Sequence, residues 1–377
     1  MGRFSLHAGR SPKYAPQRQR SSAKTGTVTA FRSLERTLPL RNLLPQQRGQ
    51  GARRGTPTFD RLTQAQRGVA MIENVRFDLP NGISLHCRVA GPLGAPVLLF
   101  LHGFPEAAFI WDALLEHFSD RYRCVAPNLR GYAPSSAPPE AEHYRIQHLV
   151  GDIDALIACI GARPVSGLVA HDWGGAIGWA IAAQHPDWIQ RLFIVNSPHP
   201  AIFLRQLQRD PRQQAASAYM NFLCREDAEQ RLSENDFARL WAMFTSMGAN
   251  DPQRVGGDWM TDALRQEYRA VWRAGLTGAC NYYRASPLRP PTATDRTVMS
   301  ITLAPERVTS LRPTVVVWGE EDLALLPSLL EGLDTYVPDL RLVRVPRATH
   351  WIVHERPQLI ANELENQLSV PCKSELQ

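Results

Sequence analysis

From residue 72 onward, short apolar runs alternate with segments of helical period. Residues 72–79 and 83–90 alternate polar and apolar positions on either side of Pro80-Asn81-Gly82, which reads as a hairpin around a turn. Residues 96–101 (PVLLFL) are apolar throughout, as a strand buried on both faces would be. Further strand-like runs occur at 122–126, 166–171, 191–196, 313–318 and 341–346, with helical periods near 107–118 and 145–160. Strands separated by helices predict an α/β chain with a mostly parallel eight-stranded sheet and helices on its faces. Between 199 and 300 the strand pattern stops. That stretch, with Trp241, Trp259 and Trp272, reads as helices and loops inserted between two parts of a sheet domain. The expected organisation is a core formed by 71–198 and 301–370, a helical cap over 199–300, and an extension over 1–70. No internal repeat is visible.

Composition sets the extension apart. Hydrophobic residues make up 44% of the 377-residue chain, enough for a substantial core. The net charge of +6 is unevenly spread: residues 1–70 hold fourteen Lys and Arg against Glu35 and Asp60 alone, a surplus of twelve, so the rest is acidic by six. An acidic body gives no support to nucleic-acid binding. The extension is rich in Arg, Gln, Ser, Pro and Gly and too polar to bury a core, so disorder is expected. It lacks the apolar stretch of a secretory signal, but its Arg-rich, acid-poor make-up around Ala30-Phe31-Arg32-Ser33 resembles an organelle transit peptide. A flexible basic arm, or upstream sequence ahead of a start at Met71, are the other readings. No apolar run reaches the roughly 18 residues of a membrane span. Cys87, Cys124, Cys159, Cys224, Cys280 and Cys372 form no CxxC or metal-like cluster. They read as reduced, mostly buried thiols of an intracellular protein, and the expected compartment is the cytoplasm.

Candidate chemistry concentrates where apolar runs end. Asp172, in His171-Asp172-Trp173-Gly174-Gly175, lies between the run 166–170 and a helical segment, with small residues at 170 and 174. A reactive side chain held on a tight strand-to-helix turn needs such neighbours, and this is the nucleophile elbow of the α/β-hydrolases. His102-Gly103-Phe104-Pro105 follows the run 96–101, where that fold places one oxyanion-hole amide. The N–H groups of Phe104 and Trp173 are expected to converge on one oxygen, each worth roughly 10²–10³ in rate. Asp322 follows the run 313–318, with Glu320 and Glu321 as competing carboxylates, and His350 follows the last run. The order Asp172, Asp322, His350 is the nucleophile–acid–base order of that fold.

With these motifs in hand, residues 72–368 resemble the epoxide hydrolases of the α/β-hydrolase fold. The matching stretches are His102-Gly103-Phe104-Pro105-Glu106, Arg130-Gly131-Tyr132-Ala133-Pro134-Ser135-Ser136, His171-Asp172-Trp173-Gly174-Gly175 and Asn281-Tyr282-Tyr283-Arg284. The resemblance favours Asp322 as the acid. It also implies that Tyr283 and Tyr219 are cap tyrosines that donate a proton, with Tyr282 and Tyr268 as fallbacks. Ala133 and Thr349 stand where the family usually has glycine, and Thr349 is a candidate to crowd His350.

An aspartate at the elbow decides the chemistry. A carboxylate is ionised at neutral pH and needs no base to activate it. It attacks esters poorly but displaces a leaving group at saturated carbon, which would leave an alkyl ester on Asp172. Water must then cleave that ester, with His350 as its base and Asp322 orienting the imidazole. Epoxide opening leaves an alkoxide that needs a proton donor, and a phenol with pKa near 10 stays protonated to serve. Halide needs none. The expected function is therefore hydrolysis of a small-molecule epoxide by water to a vicinal diol, with neither metal nor organic cofactor.

Two tyrosines weigh against the nearest rival, a haloalkane dehalogenase in which Trp173 would donate to halide. Dehalogenases of the fluoroacetate type carry arginine after the nucleophile, where Trp173 stands here. A ligand-binding member of the fold without turnover would need none of Asp172, Asp322 and His350 together. His102, Pro105, Glu106 and His199 are expected around the substrate pocket, with His102 bracing its loop and Glu106 either capping the following helix or holding water. His171 is expected to bond beneath Asp172. The mammalian soluble relatives carry an extra N-terminal phosphatase domain. Residues 1–70 are too few for one, so hydrolase activity alone is expected. Oligomeric state is left open.

Overall fold

A computed structural model describes residues 71–371. The segment 1–70, with the expectations of disorder and targeting attached to it, and Cys372 lie outside the described residues. Eight strands form one sheet: β1 (Glu73–Asp78), β2 (Ser84–Ala90), β3 (Val97–Leu101), β4 (Arg123–Pro127), β5 (Gly167–His171), β6 (Leu192–Val195), β7 (Thr314–Gly319) and β8 (Leu340–Val345). Their order is β1-β2-β4-β3-β5-β6-β7-β8. β1 and β2 run antiparallel to each other, and β2 runs antiparallel to β4. All other neighbours are parallel.

The hairpin at Pro80-Asn81-Gly82 pairs Glu73 with Val89 through to Asp78 with Ser84. β3, β5, β6 and β7 are buried at every position. That is why their sequences are apolar almost throughout: both faces of a central parallel strand are covered by helices. Helices α1 (Asp112–Phe118), α2 (Ile146–Ile160) and α3 (Trp173–Gln184) belong to the sheet's first half. α3 lies directly on the end of β3, since a Cβ on Gly174 would stand 2.3 Å from the Leu101 carbonyl oxygen.

Between β6 and β7 the described residues form no strand. They run through α4 (Pro200–Arg209), α5 (Pro211–Ala216), α6 (Tyr219–Leu223), α7 (Ala228–Ser246), α8 (Asp262–Arg273) and α9 (Thr277–Ala285). α7 is broken inside, where Asn235, Asp236 and Phe237 adopt φ of 51°, 52° and 62° in the left-handed region. Two helices, α10 (Ile352–Glu355) and α11 (Pro357–Ser369), complete the fold after β8. Among the described residues no helix is long and apolar enough to cross a membrane. Of the described cysteines, Cys87, Cys124 and Cys280 are buried, Cys224 is half-buried, Cys159 is exposed, and all are free thiols.

Candidate active site

Asp172 stands on the turn between β5 and α3 with φ 49° and ψ −118°. A non-glycine residue there is strained, and surrounding packing has to hold it. The Ser197 hydroxyl donates to its carbonyl oxygen at 2.7 Å, and Gly103 lies so close that a Cβ would fall 2.2 Å from Asp172 Oδ1. The Phe104 N–H donates to that same Oδ1 at 2.7 Å. The two carboxylate oxygens are therefore inequivalent. Oδ1 is held by the loop after β3, and Oδ2 faces His350. Trp173 begins α3, so its N–H is among the amides at the start of that helix that have no carbonyl four residues back to bond.

His350 follows β8, with Nε2 3.9 Å from Asp172 Oδ2, too far for a hydrogen bond. Its Nδ1–H donates to Asp322 Oδ2 at 2.7 Å. Asp322 follows β7 and is buried, but it accepts four hydrogen bonds. Asn196 Nδ2 also donates to Oδ2 at 2.7 Å, and the Ala324 and Leu325 N–H groups donate to Oδ1 at 2.9 Å each. Burial raises the pKa of such a carboxyl, yet the His350 imidazolium and these donors together bring it below its ordinary value. For His350 the balance runs the other way: burial opposes the charged form, but the Asp322 and Asp172 carboxylates outweigh it and push the imidazole up to about 9.

Two cavities meet at Asp172. The larger, about 620 Å³, is lined by Asp172, Tyr219 and Tyr283 together with apolar side chains such as Trp179, Phe203 and Leu303. The smaller, about 310 Å³, shares Asp172, Tyr219 and Tyr283 and adds His350, Phe104 and Trp351. Tyr283, on α9, is edge-on to Phe104 and Trp173 at 5.3 Å each and to Tyr219, on α6, at 6.0 Å between ring centroids. Burial first, and the Asp172 charge among the further causes, raise the pKa of both phenols. The fallback tyrosines are engaged elsewhere. The Tyr282 hydroxyl donates to the Arg130 carbonyl at 2.8 Å, and that of Tyr268 to Glu106 at 2.7 Å.

Four expected pocket residues need correction, because His102, Pro105, Glu106 and His199 line neither of the two cavities. His102 is fully buried, accepts from the Leu129 N–H and donates to the Gly103 carbonyl, both at 3.0 Å, and burial lowers its pKa to about 4. It braces its loop. The Pro105 carbonyl accepts from the Trp272 indole at 2.7 Å, and the His199 ring donates to the Val308 carbonyl at 2.8 Å while stacking on Tyr336. Glu106 caps no helix, since the short 3-10 turn at Ala108–Trp111 starts from Ala107 without a side-chain cap. Instead it is buried with His354 Nε2 at 2.8 Å and His171 Nδ1 at 3.3 Å, and these histidines hold it well below the carboxylate range against the cost of burial. His171 lies beneath the site, donating to the His350 carbonyl at 3.0 Å. Thr349 does not crowd His350: its N–H and hydroxyl both donate to Glu355, at 2.8 and 2.7 Å.

The residue that sequence reasoning passed over is Asn196. It directly follows β6 at φ 37°, donates to Asp322 and accepts from the Gly319 N–H at 2.8 Å, tying two strand ends to the acid. An asparagine directly after an apolar run was the available signal, because asparagine tolerates positive φ. Among the described residues no group of three or more His, Cys, Asp or Glu side chains is arranged to hold a metal ion.

Comparison with known proteins agrees with this architecture. The family described as the alpha/beta hydrolase fold matches residues 96–357. Epoxide hydrolase 4 of Mus musculus is 33% identical over 283 residues, 74% of this chain and 75% of the mouse protein. The Bacillus megaterium epoxide hydrolase, solved in complex with an inhibitor, superposes with a TM-score of 0.70 at 32% identity, covering 78% of this chain and 100% of that one. An epoxide hydrolase from metagenomes of hot environments gives a TM-score of 0.69 at 37% identity, covering 80% and 100%. The chain belongs to the α/β-hydrolase family, among its epoxide hydrolases.

Proposed function

We infer that this protein opens an epoxide with water to a vicinal diol through an ester on Asp172. The observation that carries the reading is that Asp172, His350, Tyr219 and Tyr283 all line one cavity. In the first half-reaction Asp172 Oδ2 attacks a ring carbon and the carbon–oxygen bond of the oxirane breaks. The departing oxygen takes a proton from a tyrosine, whose raised pKa keeps that proton in place until the alkoxide forms. Oδ1 becomes the ester carbonyl oxygen, already bonded to the Phe104 N–H.

In the second half-reaction His350 Nε2 takes a proton from water, and the water oxygen adds to Cγ of Asp172. Negative charge then develops on Oδ1, against the Phe104 and Trp173 amides. The bond from Cγ to Oδ2 breaks, and the diol leaves with that oxygen. The two protons of water complete the second hydroxyl and restore the tyrosine. In this reading residues 199–300 cap a core formed by 71–198 and 301–370, supported by the presence of both tyrosines on that segment.

The test is intact mass of His350→Gln after exposure to a panel of epoxides. This variant should form the ester and fail to release it, so an adduct of the whole epoxide on Asp172 is expected. No adduct from an epoxide that the unaltered protein hydrolyses would overturn the covalent route. An adduct formed only from haloalkanes, short of halide, would make the protein a dehalogenase.

A further inference from the structure

We propose that Asn196 is a positioning residue of the ester-cleaving step, fixing the direction in which Asp322 holds the His350 imidazole and the charge that imidazole meets. This rests on the reading of His350 as the base that activates water. Asn196 is fully buried and lines neither cavity. Its side chain bridges the ends of β6 and β7. The Gly319 N–H can only donate, so the Asn196 amide oxygen faces it, at 2.8 Å. The amide NH2 is then left to donate to Asp322 Oδ2, at 2.7 Å.

A carboxylate offers about four lone-pair positions. On Asp322 all are taken: Oδ1 by the Ala324 and Leu325 N–H groups, Oδ2 by Asn196 and His350. Two of the donors are main chain and Asn196 is fixed by Gly319, so a single direction is open to His350. The imidazole is held on that line with Nε2 toward Asp172. With N–H groups on both sides of Oδ2, no proton settles on Asp322, and the one that His350 takes from water stays on the ring. The Asn196 donor also draws charge from the oxygen that His350 bonds, which restrains the hold of Asp322 on the imidazolium. The next residue serves the nucleophile: the Ser197 hydroxyl donates to the Asp172 carbonyl at 2.7 Å. A φ of 37° at Asn196 lets these adjacent side chains diverge, one to the acid and one to the turn that bears Asp172. Around His350 stand Asp172 from the elbow, Glu106 from the loop after β3 and His171 from β5, while Tyr219 from α6 faces Asp322. All of these stay in place when Asn196 alone is changed.

The test follows ester formation and ester hydrolysis separately, by single-turnover quench, in two variants. Asn196→Leu fills the space without a donor, and Asn196→Gly accepts the positive φ without strain. Ester formation on Asp172 should stay within about twofold of the unaltered protein. In Asn196→Leu, ester hydrolysis at pH 7 should fall about tenfold and its pH midpoint should rise by about one unit, because an unshared Oδ2 holds the imidazolium more firmly. Asn196→Gly, whose vacated space admits a water that can donate instead, should change in the same directions by less. A merely structural residue would lower Tm and slow both steps alike, with the midpoint unmoved. That pattern, in whichever of the two variants folds, overturns the inference, while an ester still trapped by His350→Gln leaves the covalent reading standing. If His350→Gln traps no ester from an epoxide that the unaltered protein hydrolyses, the inference falls together with that reading.

Discussion

In the proposed mechanism His350 acts as a base while it sits between two carboxylates. Burial works against its charged form, yet Asp322 and Asp172 push its pKa up to about 9. On that proposal, forming the ester would remove the Asp172 charge and leave that of Asp322, so the imidazole would give up its proton more readily once there is an ester to cleave. The single-turnover rate of ester hydrolysis should therefore rise with pH, through a midpoint between the ordinary 6.5 and about 9. A flat or falling profile would remove His350 from that role. Stability carries a definite sign as well. A pKa raised in the folded state stabilises the fold fully below about 6.5 and ceases to do so as pH climbs through about 9. Across that window the Tm of the unaltered protein should drop by more than that of His350→Gln. At this scale Asp172, Asp322 and His350 were legible in the sequence as candidates because each follows an apolar run. His102, Pro105, Glu106 and His199 could not be placed the same way. Adjacency in the chain says nothing about which side of a wall a side chain faces.

The helix that bears Tyr283 is seated by a glycine contact. A Cβ on Gly278 would lie 2.3 Å from Gly131 Cα, backbone against backbone, so α9 rests on the loop after β4 with no side chain between. Gly278→Ala should lift α9 and carry Tyr283 away from Asp172. A displacement near 1 Å costs about 10²-fold in rate, so the alkylation step should slow by that order while circular dichroism stays unchanged. An unaltered rate would mean that something other than this contact seats the helix. The central strands were legible because short, nearly all-apolar runs have few alternatives once helices must cover both faces. The break in α7 was not. Its left-handed residues are fixed by partners distant in sequence or on the next turn: the Trp241 indole donates to the Asp236 carbonyl at 2.9 Å, and Arg269 pairs with the Asp236 carboxylate at 2.8 Å. No local pattern announces such contacts.

Across the whole molecule, the proposed chemistry divides between two layers. Asp172, Asp322, His350 and Phe104 follow the ends of sheet strands, whereas Tyr219 and Tyr283 stand on the helices between β6 and β7. Phenylalanine at both tyrosine positions should slow ester formation by about 10²–10⁴ and leave ester hydrolysis nearly as it was, as transient kinetics of Trp fluorescence would resolve. Ester formation at full rate in that variant would dismiss the tyrosines as proton donors. Neither the volumes of the two cavities nor their meeting at Asp172 could be read from the chain, since both depend on how α4 to α9 pack. This partition separates recognition from renewal. On the proposed mechanism, substitutions spread over residues 199–300 would alter which rings are opened, and the apparatus that regenerates the free carboxylate would pass unchanged from one specificity to the next.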